Sequence, residues 1–113
     1  SRKRKAIRTL SRVHIDGCWL TDVHVVVEWQ ETPVAPGLPP TKSKFFVRAY
    51  HGTKIVRHIF EGKATLQSAT MAAKPFMAAL EVHSDRVDRS ERAKRELNQE
   101  RAAHQAWRER FAS

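Results

Sequence analysis

The chain has 113 residues, 41% of them hydrophobic, and a net charge of +9. That is the length of one domain with one ordinary core, and no apolar run nears the roughly 20 residues of a transmembrane helix. No apolar stretch follows the basic start, so no secretory signal is expected, and the single cysteine, Cys18, lacks a partner for an intramolecular disulfide. Together these predict a reducing, intracellular setting, either cytoplasm or nucleoid or nucleus.

Residues 1–5, with Arg2, Lys3, Arg4 and Lys5 in succession, are expected to form a disordered basic arm, because clustered cations repel and bury nothing. From residue 6 to 15, Ile7, Thr9, Ser11, Val13 and Ile15 alternate as in a strand, while Ile7, Leu10 and His14 also fall at helical spacing. The Thr and Val content and the following Asp16-Gly17 pair favour a strand ending in a hairpin turn. Residues 23–30 read as a second strand, with Val23, Val25, Val27 and Trp29 on one face and His24, Val26, Glu28 and Gln30 on the other. A proline-rich loop, extended and polyproline-like, is expected at 32–41.

Two further strands, about 43–50 and 54–60, read as a hairpin turning at His51-Gly52-Thr53. Strict alternation puts Phe45, Val47, Ala49, Val56, His58 and Phe60 on its core face. The other face then collects Lys42, Lys44, Phe46, Arg48, Tyr50, Ile55, Arg57 and Ile59. Residues 64–80 carry helical spacing in Leu66, Ala69, Ala73, Phe76, Met77 and Leu80, with a break or a new helix expected at Pro75. A long charged helix is expected over 84–113, its apolar stripe sparse and its acids placed four residues before bases, as in Asp88–Arg92. The fold class is therefore α+β, a small antiparallel sheet of about four strands followed by C-terminal helices, the last one long, with residues 6–83 as the core.

The charge is unevenly spread. Residues 1–12 carry six basic side chains and no acid, residues 13–41 carry four acids and no Lys or Arg, and residues 42–63 carry six basic groups against Glu61 alone. Such segregation points to a polyanionic partner. Cations interleaved with rings on a sheet suit nucleic acid, the rings stacking on bases and the cations meeting phosphates. The expected interface is Arg2, Lys3, Arg4, Lys5, Lys42, Lys44, Phe46, Arg48, Tyr50, Lys54 and Arg57, non-enzymatic, for RNA or DNA, with single strands slightly favoured. A second reading makes the basic hairpin an adaptor or inhibitor that docks an acidic protein, or a subunit of a nucleoprotein complex. Ala93, Leu97, His104, Trp107 and Phe111 follow a broken 4-3 pattern that suits pairing of two copies through the last helix.

Other chemistry finds little support. His14, Cys18 and His24 match no zinc spacing, the four glycines are isolated, and no nucleophile motif occurs, so no metal, cofactor or catalytic residue is expected. The stretch from Lys42 to Ala49 agrees with the first ribonucleoprotein motif of RNA-recognition sheets only at Lys42, Phe46 and Val47, too few to assign a family.

Overall fold

The computed structural model describes residues 1–112. Strands β1 (Arg2–Ile15) and β2 (Cys18–Thr32) form a long antiparallel hairpin, followed by β3 (Thr41–Lys42), β4 (Phe46–His51), β5 (Lys54–His58) and one helix, α1 (Leu66–Phe111). The order across the sheet is β1-β2-β4-β5, with β3 pairing the end of β2. This is the α+β arrangement expected, with one helix where a break was expected.

The first hairpin closes as its turn residues dictate. Ile15 pairs with Cys18, and Asp16 and Gly17 both take positive φ, 49° and 80°, the requirement of a two-residue type I′ turn. Arg2 to Lys5, expected to be disordered, instead open β1 and pair with residues 27–30 of β2. Isolated, those cations would repel; beside a formed β2 they gain ladder hydrogen bonds, and Arg2 and Arg4 gain partners on the sheet face. Residues 33–40 do form a loop, but not an extended one. The Leu38 N–H donates to the Ala35 carbonyl (3.2 Å) and Gly37 takes φ 79°, so the segment turns back and β3 rejoins β2.

The core fills one side of the sheet. Val23, Val25 and Val27 of β2, Val47 and Ala49 of β4 and Leu10, Val13 and Ile15 of β1 meet Ala69, Ala73 and Met77 of α1. Alanine at both contact turns lets the helix axis come close to the sheet. The helix starts on a capping box, Thr65 Oγ1 accepting from the Ser68 N–H (3.0 Å) while Ser68 Oγ accepts from the Thr65 N–H. It runs through Pro75 without a break. Proline there leaves the Met71 carbonyl without its helical donor, but both residues are exposed, so that carbonyl is open to solvent.

Acid–base contacts fasten the first hairpin to α1. Arg8 meets Glu81 at 2.5 Å and Arg12 meets Asp88 at 3.3 Å, with its guanidinium 3.6 Å from the Trp19 ring centroid. Trp19 Nε1 donates to Glu91 at 3.1 Å. Ser84, buried in the helix, accepts from the His14 N–H (2.9 Å) and donates to the Leu80 carbonyl (2.7 Å). Past Glu91, every described residue of α1 is exposed.

Two bulges change the faces that alternation predicts. One lies between Ala6 and Arg8 and sends Leu10 to the core, while Thr9 meets His24 on the other face at 2.8 Å. The other lies between Arg57 and Ile55 on β5, where Tyr50 pairs with Ile55 and Ala49 with Arg57, leaving Val56 extra. A one-residue insertion reverses the alternation that follows it, as at Leu10 and at Arg57 to Ile59. Arg57 and Ile59 therefore turn to the helix side and His58 to the open side, opposite to the expected partition.

Candidate nucleic-acid interface

The helix covers one face of the sheet; the other carries no second layer among the described residues. On this open face β2 presents His24, Val26, Glu28 and Gln30, and β4 presents Phe46, Arg48 and Tyr50. Pairing of Arg2 with Gln30 and of Arg4 with Glu28 places both arginines of β1 beside them.

Glu28 organises the face. Its side chain is only 1% exposed, although no helix lies above it. Arg2 Nε donates to Glu28 Oε2 at 2.7 Å, the Tyr50 hydroxyl donates to Glu28 Oε1, and Arg2 also donates to the Tyr50 oxygen. Arg48 Nη1 stands 3.6 Å from Glu28 Oε1, an ion pair without a hydrogen bond. The Arg4 guanidinium lies 4.9 Å from the Tyr50 ring centroid and that of Arg48 lies 5.2 Å from the Phe46 centroid. Side chains of the face thus bury its carboxylate themselves.

Titration follows from this geometry. Burial alone would raise the Glu28 carboxyl, but hydrogen bonds from Tyr50 and Arg2 and the charges of Arg2 and Arg48 outweigh it and hold the group below its ordinary value. Burial, then the bond to Glu28 and its negative charge, push the Tyr50 hydroxyl up. At neutral pH Glu28 is ionised and Tyr50 is a donor. Two guanidiniums, of Arg2 and Arg48, share one carboxylate while that of Arg4 lies over the Tyr50 ring, and the face keeps positive charge.

The residues expected at the interface divide. Arg2, Arg4, Phe46, Arg48 and Tyr50 come together. Lys44 adjoins them: its Cβ and the Phe46 ring crowd the open side of Gly62, where an added Cβ would come within 2.7 Å of Lys44 Cβ. Lys54 stands at the end of the β4–β5 hairpin, opposite His51. Lys3 and Lys5 alternate onto the other side of β1, and Lys42 sits opposite Glu31, on the side of Trp29. Arg57 is removed from the set by the bulge before it; it forms a two-pronged pair with Asp16 at 2.5 and 2.7 Å, which holds that carboxyl below its usual range. Tyr50 is buried, with Arg4 over its ring and its hydroxyl on Glu28, so it positions the arginines and is not an open stacking platform.

Comparison of the chain with protein-family models, with curated proteins and with solved structures found no match.

Sequence reasoning missed Glu28 as the anchor. Its signal was present in part: alternation put it on the polar face of β2, but only the pairing of β2 with both β1 and β4 shows which cations reach it. His58, paired with Arg48 and 4.3 Å from the Phe60 ring centroid, joins the face for a reason alternation hid. His14, Cys18 and His24 do not converge. His14 Nδ1 faces His83 Nε2 at 3.1 Å, His24 bonds Thr9, and Cys18 is exposed.

Proposed function

We propose that this protein binds nucleic acid through the open face of its sheet, by contact with phosphates. The observation that carries the reading is the imbalance on that face: Arg2 and Arg48 meet the carboxylate of Glu28, Arg4 lies over the Tyr50 ring, and Lys44 stands at the rim. Arg48 makes no hydrogen bond to Glu28 at 3.6 Å, which leaves its donors free for a phosphate oxygen. Glu28 and Tyr50 hold the guanidiniums in place before a ligand arrives, which lowers the ordering cost of binding. Phe46, half-buried at the edge, is the ring still placed to touch a base or sugar. A single ring under several cations supports backbone contact more than base readout.

The test is fluorescence anisotropy with labelled single-stranded RNA, single-stranded DNA and duplex DNA from about 50 to about 300 mM salt. Replacing Arg4, Lys44 and Arg48 with alanine is expected to weaken binding at least tenfold at low salt. The log–log salt slope is expected to fall by about 2–3 units, since each lost phosphate contact removes about 0.7–0.9. The control replaces Lys74, Arg86 and Arg95 of the helix, an equal charge change away from the face, and is expected to retain most of the affinity. Equal losses from both triple variants would refute the assigned surface. Weak binding of the parent chain to all three ligands near 150 mM salt would refute the reading itself.

A further inference from the structure

The end of α1 carries a second apolar stripe unrelated to the core. The residues that face the sheet are Ala69, Ala73, Met77 and Ser84, ending with the Glu91 contact to Trp19. At about 100° per residue, Ala93, Leu97, His104, Trp107 and Phe111 lie roughly half a turn away from that stripe. Leu97 is 45%, Trp107 58% and Phe111 61% exposed. His104 and Trp107 stack at 6.4 Å between centroids and Trp107 meets Phe111 at 5.4 Å, so the strip is continuous along the last two turns. It points away from the sheet, and no other described element of the same chain reaches it. Helices without packing are marginal in water, and this segment runs about 30 Å beyond its last tertiary contact.

We infer that a second copy of this chain covers the strip, in antiparallel orientation. A parallel pair would set Glu100 against Glu100 and His104 against His104, placing like groups together at the seam. Reversing one helix so that Leu97 faces Trp107 of the other copy changes each layer. Ala93 then faces Phe111 and Glu100 faces His104, so small meets large and acid meets base, each layer occurring twice by the two-fold symmetry. Along one edge Glu96 faces Arg110 of the second copy. Along the other, Lys94 meets Arg108 and Arg101 meets its own copy at the two-fold axis, repulsions that the long stems relieve by bending toward solvent. The sheets then stand at opposite ends of a rod, with their open faces clear of the contact.

The inference does not depend on nucleic-acid binding and is tested apart from it. Light scattering on the full chain is expected to give twice the 13.0 kDa chain mass as concentration rises. Trp107→Gln, which changes no charge and touches nothing in the body, is expected to be monomeric with unchanged thermal unfolding when dilute. Orientation is read with a short bis-maleimide in a Cys18→Ser background. Ala103→Cys, beside the two-fold axis, is expected to cross-link, and Leu97→Cys is not, because its two copies lie about 15 Å apart along the rod. Cross-linking at 97 but not 103 would overturn the antiparallel register. A monomeric mass at every concentration would overturn the dimer, and a Trp107→Gln variant that keeps the doubled mass would overturn the assigned strip.

Discussion

Glu28 is a carboxylate buried on a face that has no covering layer, and its neighbours set what its loss would do. Glu28→Gln keeps an acceptor for the Tyr50 hydroxyl but removes the charge that holds Arg2 and Arg48. A charge-assisted bond of a buried group contributes about 1–3 kcal/mol, so a loss of that order is expected in urea unfolding at pH 7. The pH dependence has a definite sign. The folded Glu28 carboxyl titrates below its ordinary 4.5, so its contribution is complete above that value and is lost as pH falls through the folded value. The stability curves of parent and Glu28→Gln are therefore expected to converge in acid; parallel curves would show that the charge does not stabilise the fold. Tyr50 behaves oppositely. Its hydroxyl titrates above 10.0, so its contribution holds below pH about 10 and is lost only in stronger alkali, a limb that Tyr50→Phe is expected to remove.

At the scale of elements, close approach of α1 to the sheet depends on two alanines with no exposed surface, Ala69 and Ala73. Ala73→Leu adds three carbons where the strands leave no room, and overpacking of this kind costs about 1–3 kcal/mol. A fall in the unfolding midpoint is expected, with α1 levered off β2 and β4; an unchanged midpoint would mean the helix packs more loosely than its burial indicates. The elements were legible to different depths. Asp16-Gly17 announced its turn because two adjacent positive φ values admit few other residues, and Val23, Val25 and Val27 announced a buried face by simple alternation. The bulges at Ile7 and Val56 left no local mark, since a bulge is a relation between two strands and neither sequence contains it alone. That is why alternation alone puts Arg57 on the basic face and His58 in the core. Strand pairing also decided the arm: Arg2 to Lys5 look unstructured until β2 offers a ladder and Glu28 a counter-charge. Pro75 misled for a related reason, because its cost depends on whether the orphaned Met71 carbonyl is wet.

The whole molecule measures 90 × 23 × 18 Å with a radius of gyration of 22.6 Å, against about 13 Å for a globular chain of this length. It is a sheet-and-helix body with a bare helical arm, and the two parts draw stability from different sources. Amides of α1 between Ala69 and Ser84 lie under the core and open only with the body, whereas those from Ala93 to Phe111 have no tertiary contact in one chain. Hydrogen exchange on a dilute sample is expected to show the arm exchanging about 100-fold faster than the body, or more, graded toward Phe111 as the helix frays from its free end. Raising the concentration separates two sources of order in the arm. If helix propensity and pairs such as Asp88–Arg92 at 3.1 Å sustain it, its protection is independent of concentration. If a second copy covers the strip, protection centred on Leu97 to Trp107 rises with concentration while that of the body stays fixed, because mass action stabilises only the segment that the partner touches.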